Sequence, residues 1–125
     1  MNSMEYDTSQ TGYAAVLRSW QIKAMQVLWG SKEGLTSRVV WVKVNDALGG
    51  ESISRASVIN FLEDMKKMGV LRGVEETGKG GHHGVYSPAV DEVGFGRYVV
   101  DTMIGSLMGN FPDETRDAVR KIDSF

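Results

Sequence analysis

Apolar residues recur at three- and four-residue steps over several stretches of this chain, the spacing that places them on one side of an α-helix. The first stretch runs from Tyr13 to Trp29 and is followed by Gly30. A second follows Thr36-Ser37, a possible N-cap, and ends at Gly49-Gly50. Its β-branched residues would also suit a strand, but the glycine-bounded length and the spacing favour a helix. The pattern therefore predicts two consecutive amphipathic helices.

A third amphipathic helix is predicted after Ser52 and Ser54, which offer N-caps, and before Gly69, which offers a stop. Its inner face is apolar and consists of Val58, Phe61, Leu62, Met65 and Met68. Its opposite face carries Arg55, Ile59, Asn60, Glu63 and Lys67. We expect this helix to anchor the domain with one side and to leave the other side to solvent.

The pattern then becomes strand-like. Residues 70–74 predict one strand, residues 75–84 form a polar, Gly-rich turn, and residues 85–87 resume an extended pattern. This sequence predicts a β-hairpin. The predicted fold is thus mainly α with a small β-hairpin.

Two more helices are predicted at the end of the chain. Asp91-Glu92 opens the first, and Pro112 starts a shorter one that reaches Ile122. The first carries an apolar band too wide for one small core to cover, and Gly105 and Gly109 would let two backbones approach closely. We therefore expect a homodimer through Phe95, Val99, Val100, Met103, Ile104, Leu107, Met108 and Phe111. The expected division is a flexible tail over 1–12, a helix-and-hairpin domain over 13–90 and a dimerisation region over 91–125.

Composition places the chain among ordinary globular proteins. Its 125 residues are 42% hydrophobic and 24% charged, enough for a real core. With no cysteine, disulfides and thiolate metal sites are excluded, which suits a reducing compartment, and we expect the cytoplasm. The polar start does not resemble a signal peptide, and no apolar run approaches the length of a membrane span.

Three helices followed by a hairpin is the order of a winged helix-turn-helix domain, whose third helix enters the DNA major groove. The net charge of −2 opposes this function unless the positive residues share one face. Arg55 can pair with guanine and Asn60 with adenine, and the hairpin tip can approach the backbone. The candidate DNA-binding residues are Arg38, Lys43, Ser54, Arg55, Ser57, Asn60, Lys67, Lys79, His82 and His83.

Three segments together resemble the penicillinase-repressor family of winged-helix regulators, the BlaI/MecI/CopY type. They are Met25-Gln26-Val27-Leu28-Trp29, then Ser57 to Leu62 with Lys67-Met68-Gly69-Val70-Leu71, and Val85-Tyr86-Ser87-Pro88. The resemblance runs from about Val16 to Ile122. It implies a dimer that binds double-stranded DNA at a palindromic operator and represses transcription. Asp64 departs from the family, which usually has a basic residue there. Asn110-Phe111 stands near the place where some members are cleaved.

Other functions are disfavoured by the spacing of the residues they need. Gly73 to Gly80 resembles a phosphate-binding loop, but Gly80 replaces the Ser or Thr that ligates magnesium. His82 and His83 would point to opposite faces of a strand, so no metal and no cofactor are expected. Carboxylates do not converge, and we expect no enzyme. The alternative left open is a winged-helix module that binds another protein instead of DNA.

Overall fold

A computed structural model describes residues 4–78 and 81–122, and it describes side chains for all of these except residues 76–78 and 81–83. The chain forms two compact units, one up to Ala89 and the other from Val90 onward. The prediction of a mainly helical protein with a small antiparallel sheet is confirmed within these residues.

The first helix is shorter than predicted. A 3-10 helix at Gly12–Ala15 comes first, and α1 spans Ser19–Trp29. Arg18 between them is extended, with ψ of 160°, so one continuous helix from Tyr13 is wrong. The amide of Leu17 closes the first turn on the carbonyl of Tyr13 at 2.8 Å, and the chain then straightens. The break lets Ala15 and Leu17 reach the core from a separate turn.

The second and third helices begin and end at the predicted signals. The second, α2, spans Ser37–Leu48, is capped by the Thr36 side chain and stops at Gly49 in the left-handed conformation. The third, α3, spans Arg55–Lys67. After α3 the amides of Gly69 and Val70 bond back to Lys66 and Met65, which is a Schellman motif with Gly69 at φ 82°. The predicted strand alternative for α2 is therefore not adopted.

The described strands form a three-stranded antiparallel sheet in the order β1-β3-β2. Strand β1 is Leu35–Thr36, β2 is Leu71–Gly78 and β3 is Gly81–Pro88. Two predictions are corrected here. The turn predicted over 75–84 is mostly strand, because cross-strand pairing continues from Leu71↔Pro88 to Gly78↔Gly81. Strand β1 was not predicted, since two residues show no periodicity.

The core of the first unit lies between the three helices and the sheet. Trp20 of α1 meets Phe61 of α3 edge to face, with ring centroids 5.4 Å apart. The predicted inner face of α3 is confirmed for Val58, Phe61, Leu62 and Met65, which are all buried. Fully buried residues elsewhere in this unit are Ala24, Met25, Leu28, Val40, Val44 and Val70. One side of α3 is thus anchored, as a helix with a single apolar stripe requires.

The second unit is a pair of helices, α4 at Glu92–Asn110 and α5 at Pro112–Arg120. Asp91 caps α4 by accepting a hydrogen bond from the Gly94 amide at 2.7 Å. Pro112 occupies the first turn of α5, where its missing N–H costs nothing. No helix in the described ranges is long and apolar enough to cross a membrane.

Candidate nucleic-acid interface

The start of α3 is held by its serine cap. The Ser54 hydroxyl oxygen accepts a hydrogen bond from the Ser57 amide at 3.1 Å and lies 2.9 Å from the Ser57 hydroxyl. The predicted capping role of Ser54 is confirmed. Because the two hydroxyls bond to each other, both serines serve first to order the turn that carries Arg55.

The turn between α2 and α3 is fixed by a clamp that the sequence did not suggest. The Asn45 side chain accepts from the Ile53 amide at 2.8 Å and donates to the Ile53 carbonyl at 3.2 Å. Trp41 Nε1 donates to the same carbonyl at 2.8 Å. Two side chains of α2 thus hold the residue just before the cap of α3. The sequence feature that could have pointed to this clamp is an asparagine one turn after a tryptophan on the inner stripe of α2.

The outward face of α3 is positively charged. Its exposed residues are Arg55, Ala56, Asn60, Lys66 and Lys67, whereas Glu63 and Asp64 are half-buried. Every exposed charged side chain of α3 is therefore a cation. Sequence reasoning missed Ala56, which precedes Asn60 by four residues and shares its side of the helix. A side chain this small lets another surface approach the helix backbone closely.

Charge is divided unevenly between the two units. Residues up to Ala89 include ten Lys and Arg against nine Asp and Glu, whereas residues from Val90 include four against seven. The net negative charge of the chain therefore comes from the second unit, and the unit that contains α3 carries one net positive charge.

Arg38 and Lys43 do not share one surface. Arg38 is exposed at the start of α2, on the side of Asn45, which lies two turns further along. Lys43 is two residues from Asn45 and lies on the opposite side of α2, where it lines a cleft with Gln26 and Lys32. Lys43 therefore does not lie on the side of α2 that carries Arg38, and its DNA contact stays a prediction.

The hairpin follows α3 directly. Arg72 and Val74 of β2 are exposed. His82 and His83 lie in β3, paired with Thr77 and Glu76, but their side chains are outside the described residues. Lys79 also lies outside the described residues. The candidate DNA contacts of the hairpin tip therefore stay predictions.

The second unit exposes a line of apolar side chains. Along α4, Val93, Val100, Ile104 and Leu107 are exposed by 66%, 54%, 37% and 47%, at seven-, four- and three-residue steps that place them on one side. Phe111 continues the line. Together with Val119 and Ile122, it lines an apolar cleft between α4 and α5. Val99, Met103 and Met108 are half-buried. Phe95 is fully buried in the chain, so its assignment to a dimer contact is wrong.

No group of three or more His, Asp or Glu in the described parts of the chain could hold a metal ion. No family model matches the sequence, and a search of curated proteins finds no match. The resemblance to the penicillinase repressors therefore stays a hypothesis based on sequence motifs.

Among solved structures, the chain is similar to the ferric uptake regulator of Pseudomonas aeruginosa with manganese, at 20% identity over 59% of this chain and 52% of that one, with a TM-score of 0.48. It is also similar to the Vibrio cholerae ferric uptake regulator, at 16% identity over 63% and 57%, with a TM-score of 0.46. The chain thus spans little more than half the length of either regulator.

Proposed function

We propose that this chain is a DNA-binding transcription regulator that inserts α3 into the major groove. The observation that carries the proposal is the exposed face of α3, where all exposed charges are positive and the opposite side is buried. In helix-turn-helix proteins, the DNA-reading element is likewise a helix that follows another helix and a turn and leaves one side free.

Each exposed side chain of α3 suits a particular contact. Arg55 can donate a pair of hydrogen bonds to guanine, and Asn60 can pair with adenine. Ala56 can contact a thymine methyl group. Lys66 and Lys67 at the far end suit phosphates, which fix the position of the helix without specifying sequence. We assign Arg38 to a phosphate as well, because it is exposed at the start of α2.

The test begins with selection of bound duplexes from a random pool, followed by fluorescence anisotropy titration on the selected site. Arg55→Ala should weaken specific binding by about 1–3 kcal/mol, roughly 5- to 150-fold in Kd. Arg116→Ala is the matched control, because it removes an exposed arginine from α5. Equal affinities of the Arg55→Ala variant and the control would remove Arg55 from the interface.

Salt dependence separates this function from a protein-binding module. If phosphates are contacted, the logarithm of the binding constant falls linearly with the logarithm of salt concentration. Lys67→Ala should weaken all duplexes about equally and reduce the slope by about one. An empty selection together with no salt-sensitive binding at any sequence would refute DNA binding and favour the module.

We further propose that two copies associate through the exposed apolar line of α4 and its cleft with α5. A contiguous apolar surface of this kind is typical of an interface, and a two-fold dimer would place two α3 helices in half-sites about one DNA turn apart. Binding of a palindromic operator would block polymerase, which makes the regulator a repressor.

The association is tested by sedimentation equilibrium of the full chain. Leu107→Lys places a charge on the exposed apolar line and should shift the protein to monomer. Thr102→Lys is the control, since Thr102 is exposed and lies two residues from Val100, on the other side of α4. A Leu107→Lys protein that sediments as the wild type does would refute this interface.

A further inference from the structure

A hydrogen bond joins the hairpin to α3. Tyr86 of β3 is only 5% exposed, and its hydroxyl donates to Glu63 Oε2 at 2.5 Å. The two residues are 23 positions apart in sequence. Glu63 lies on α3 one turn after Ile59 and one turn before Lys67. The bond therefore connects the middle of the proposed DNA-reading helix to the strand that leaves the hairpin tip.

The hairpin is shaped to receive this part of α3. Gly84 lies two residues before Tyr86, and a Cβ there would lie 3.2 Å from the Tyr86 hydroxyl. Gly73 pairs with Tyr86 across the strands, and a Cβ there would lie 2.7 Å from Cδ of Lys66. The glycines thus leave room for the Tyr86 hydroxyl and for the end of the Lys66 side chain. A larger residue at Gly84 would crowd the Tyr86 ring, whereas at Gly73 the flexible end of Lys66 would have to move.

The electrostatics favour a strong bond. Burial, the hydrogen bond to Glu63 and the nearby charges of Glu63 and Glu75 together raise the pKa of Tyr86, so the hydroxyl keeps its proton at neutral pH. A neutral hydroxyl that donates to a carboxylate forms a bond roughly twice as strong as one between neutral groups. Little competing water reaches it, because the tyrosine is buried.

We propose that Tyr86 and Glu63 form a positioning pair that holds the hairpin at one place relative to α3, so that both elements meet the same duplex in register. The hydrogen bond itself is independent of ligand, whereas its effect on affinity rests on the proposed DNA binding. Neither residue needs to touch the duplex. The pair acts by removing freedom of the hairpin before binding, which lowers the entropic cost of binding.

The first arm of the test is amide hydrogen exchange of the free protein. Tyr86→Phe and Glu63→Ala should each speed exchange in β2 and β3 by about tenfold, the loss of one charge-assisted bond, while α1 is unchanged. Glu63→Gln should lie between the wild type and Glu63→Ala, because its amide oxygen still accepts from Tyr86 but without the negative charge. Tyr6→Phe, which removes a hydroxyl from a side chain that is 53% exposed, is the control. Unchanged hairpin exchange in both Tyr86→Phe and Glu63→Ala would overturn the proposal.

The second arm is affinity for the selected duplex. Tyr86→Phe leaves the net charge unchanged and removes the hydrogen bond to Glu63. We expect it to weaken binding by about tenfold, because the same hydrogen bond is lost as in the exchange experiment. Glu63→Ala and Glu63→Gln carry the same charge, so the difference between their affinities measures the hydrogen bond to Tyr86 alone. Glu63→Gln should bind the duplex more tightly than Glu63→Ala. The double variant Tyr86→Phe with Glu63→Ala should bind no more weakly than Glu63→Ala, because both changes remove one interaction.

The two arms separate the proposals. A loosened hairpin with unchanged affinity would overturn the positioning role, although the wild type would still bind DNA. A loosened hairpin in a protein that binds no duplex would refute the proposed function, and the role in DNA register would be overturned with it.

Discussion

Asn45→Ala tests whether the turn before α3 is held by α2. The substitution removes the acceptor of the Ile53 amide, 2.8 Å away, and one donor to the Ile53 carbonyl, 3.2 Å away. That carbonyl keeps a partner, because Trp41 Nε1 lies 2.8 Å from it. The Asn45 amide also donates to the Trp41 carbonyl at 2.8 Å, but that carbonyl keeps its backbone partner within α2, so this bond adds little. The half-buried amide of Ile53 is the group left without its bond.

The expected loss follows from these contacts. Two net hydrogen bonds contribute about 0.5–1.5 kcal/mol each, and alanine regains up to about 0.7 kcal/mol through its higher helix propensity. We expect the free energy of unfolding to fall by about 1.5 kcal/mol, close to tenfold in the unfolding constant. Asn45→Asp should not rescue it, since a carboxylate would face the carbonyls of Trp41 and Ile53.

Urea unfolding followed by tryptophan fluorescence measures this loss in the first unit alone, because Trp20, Trp29 and Trp41 all precede Ala89. Asp46→Ala is the control: it is the next residue of α2, it is exposed, and it should change stability by less than about 0.5 kcal/mol. If the Asn45→Ala protein unfolds at the same urea concentration as the control, the clamp does not hold the turn.

Two further predictions concern the same region. Ser54→Ala should lower the free energy of unfolding by about 1 kcal/mol through loss of the N-cap, and Ser54→Asp should restore most of it; urea unfolding of both variants checks this. The raised pKa of Tyr86 means that the folded state holds this proton more tightly than the unfolded state. The stabilisation that Tyr86 gives the folded state through this proton is complete below the ordinary tyrosine pKa near 10, and it is lost as pH rises above that value. Stability should therefore fall more steeply above pH 10 in the wild type than in Tyr86→Phe, as urea unfolding at stepped pH would show. An unchanged urea midpoint in Ser54→Ala would contradict the serine cap. Parallel curves of stability against pH for the wild type and Tyr86→Phe would contradict the tyrosine shift.

The ends of the helices were predictable because their signals are local. A serine or threonine cap acts on an amide three residues away, and a glycine stop acts within one turn, so Thr36, Ser54, Gly49 and Gly69 are recognisable without a structure. The buried side of α3 was predictable for the same reason, since its period of 3.6 residues is a property of the helix itself.

Contacts between elements were not predictable in this way. Strand β1 exists only because Leu35 and Thr36 pair with Tyr86 and Val85, some 50 residues away. Periodicity placed Phe95 on the apolar band of α4, but only the folded chain shows that it is fully buried.

The amino-acid sequence alone determined where α2 and α3 begin and stop and which side of α3 is apolar, because those properties depend on neighbours a few residues apart. The tertiary structure decided that Lys43 lines a cleft with Gln26 and Lys32, that Asn45 clamps Ile53, and that Glu63 bonds to Tyr86. These facts depend on the distance between atoms of different elements, and no spacing along the chain records that distance.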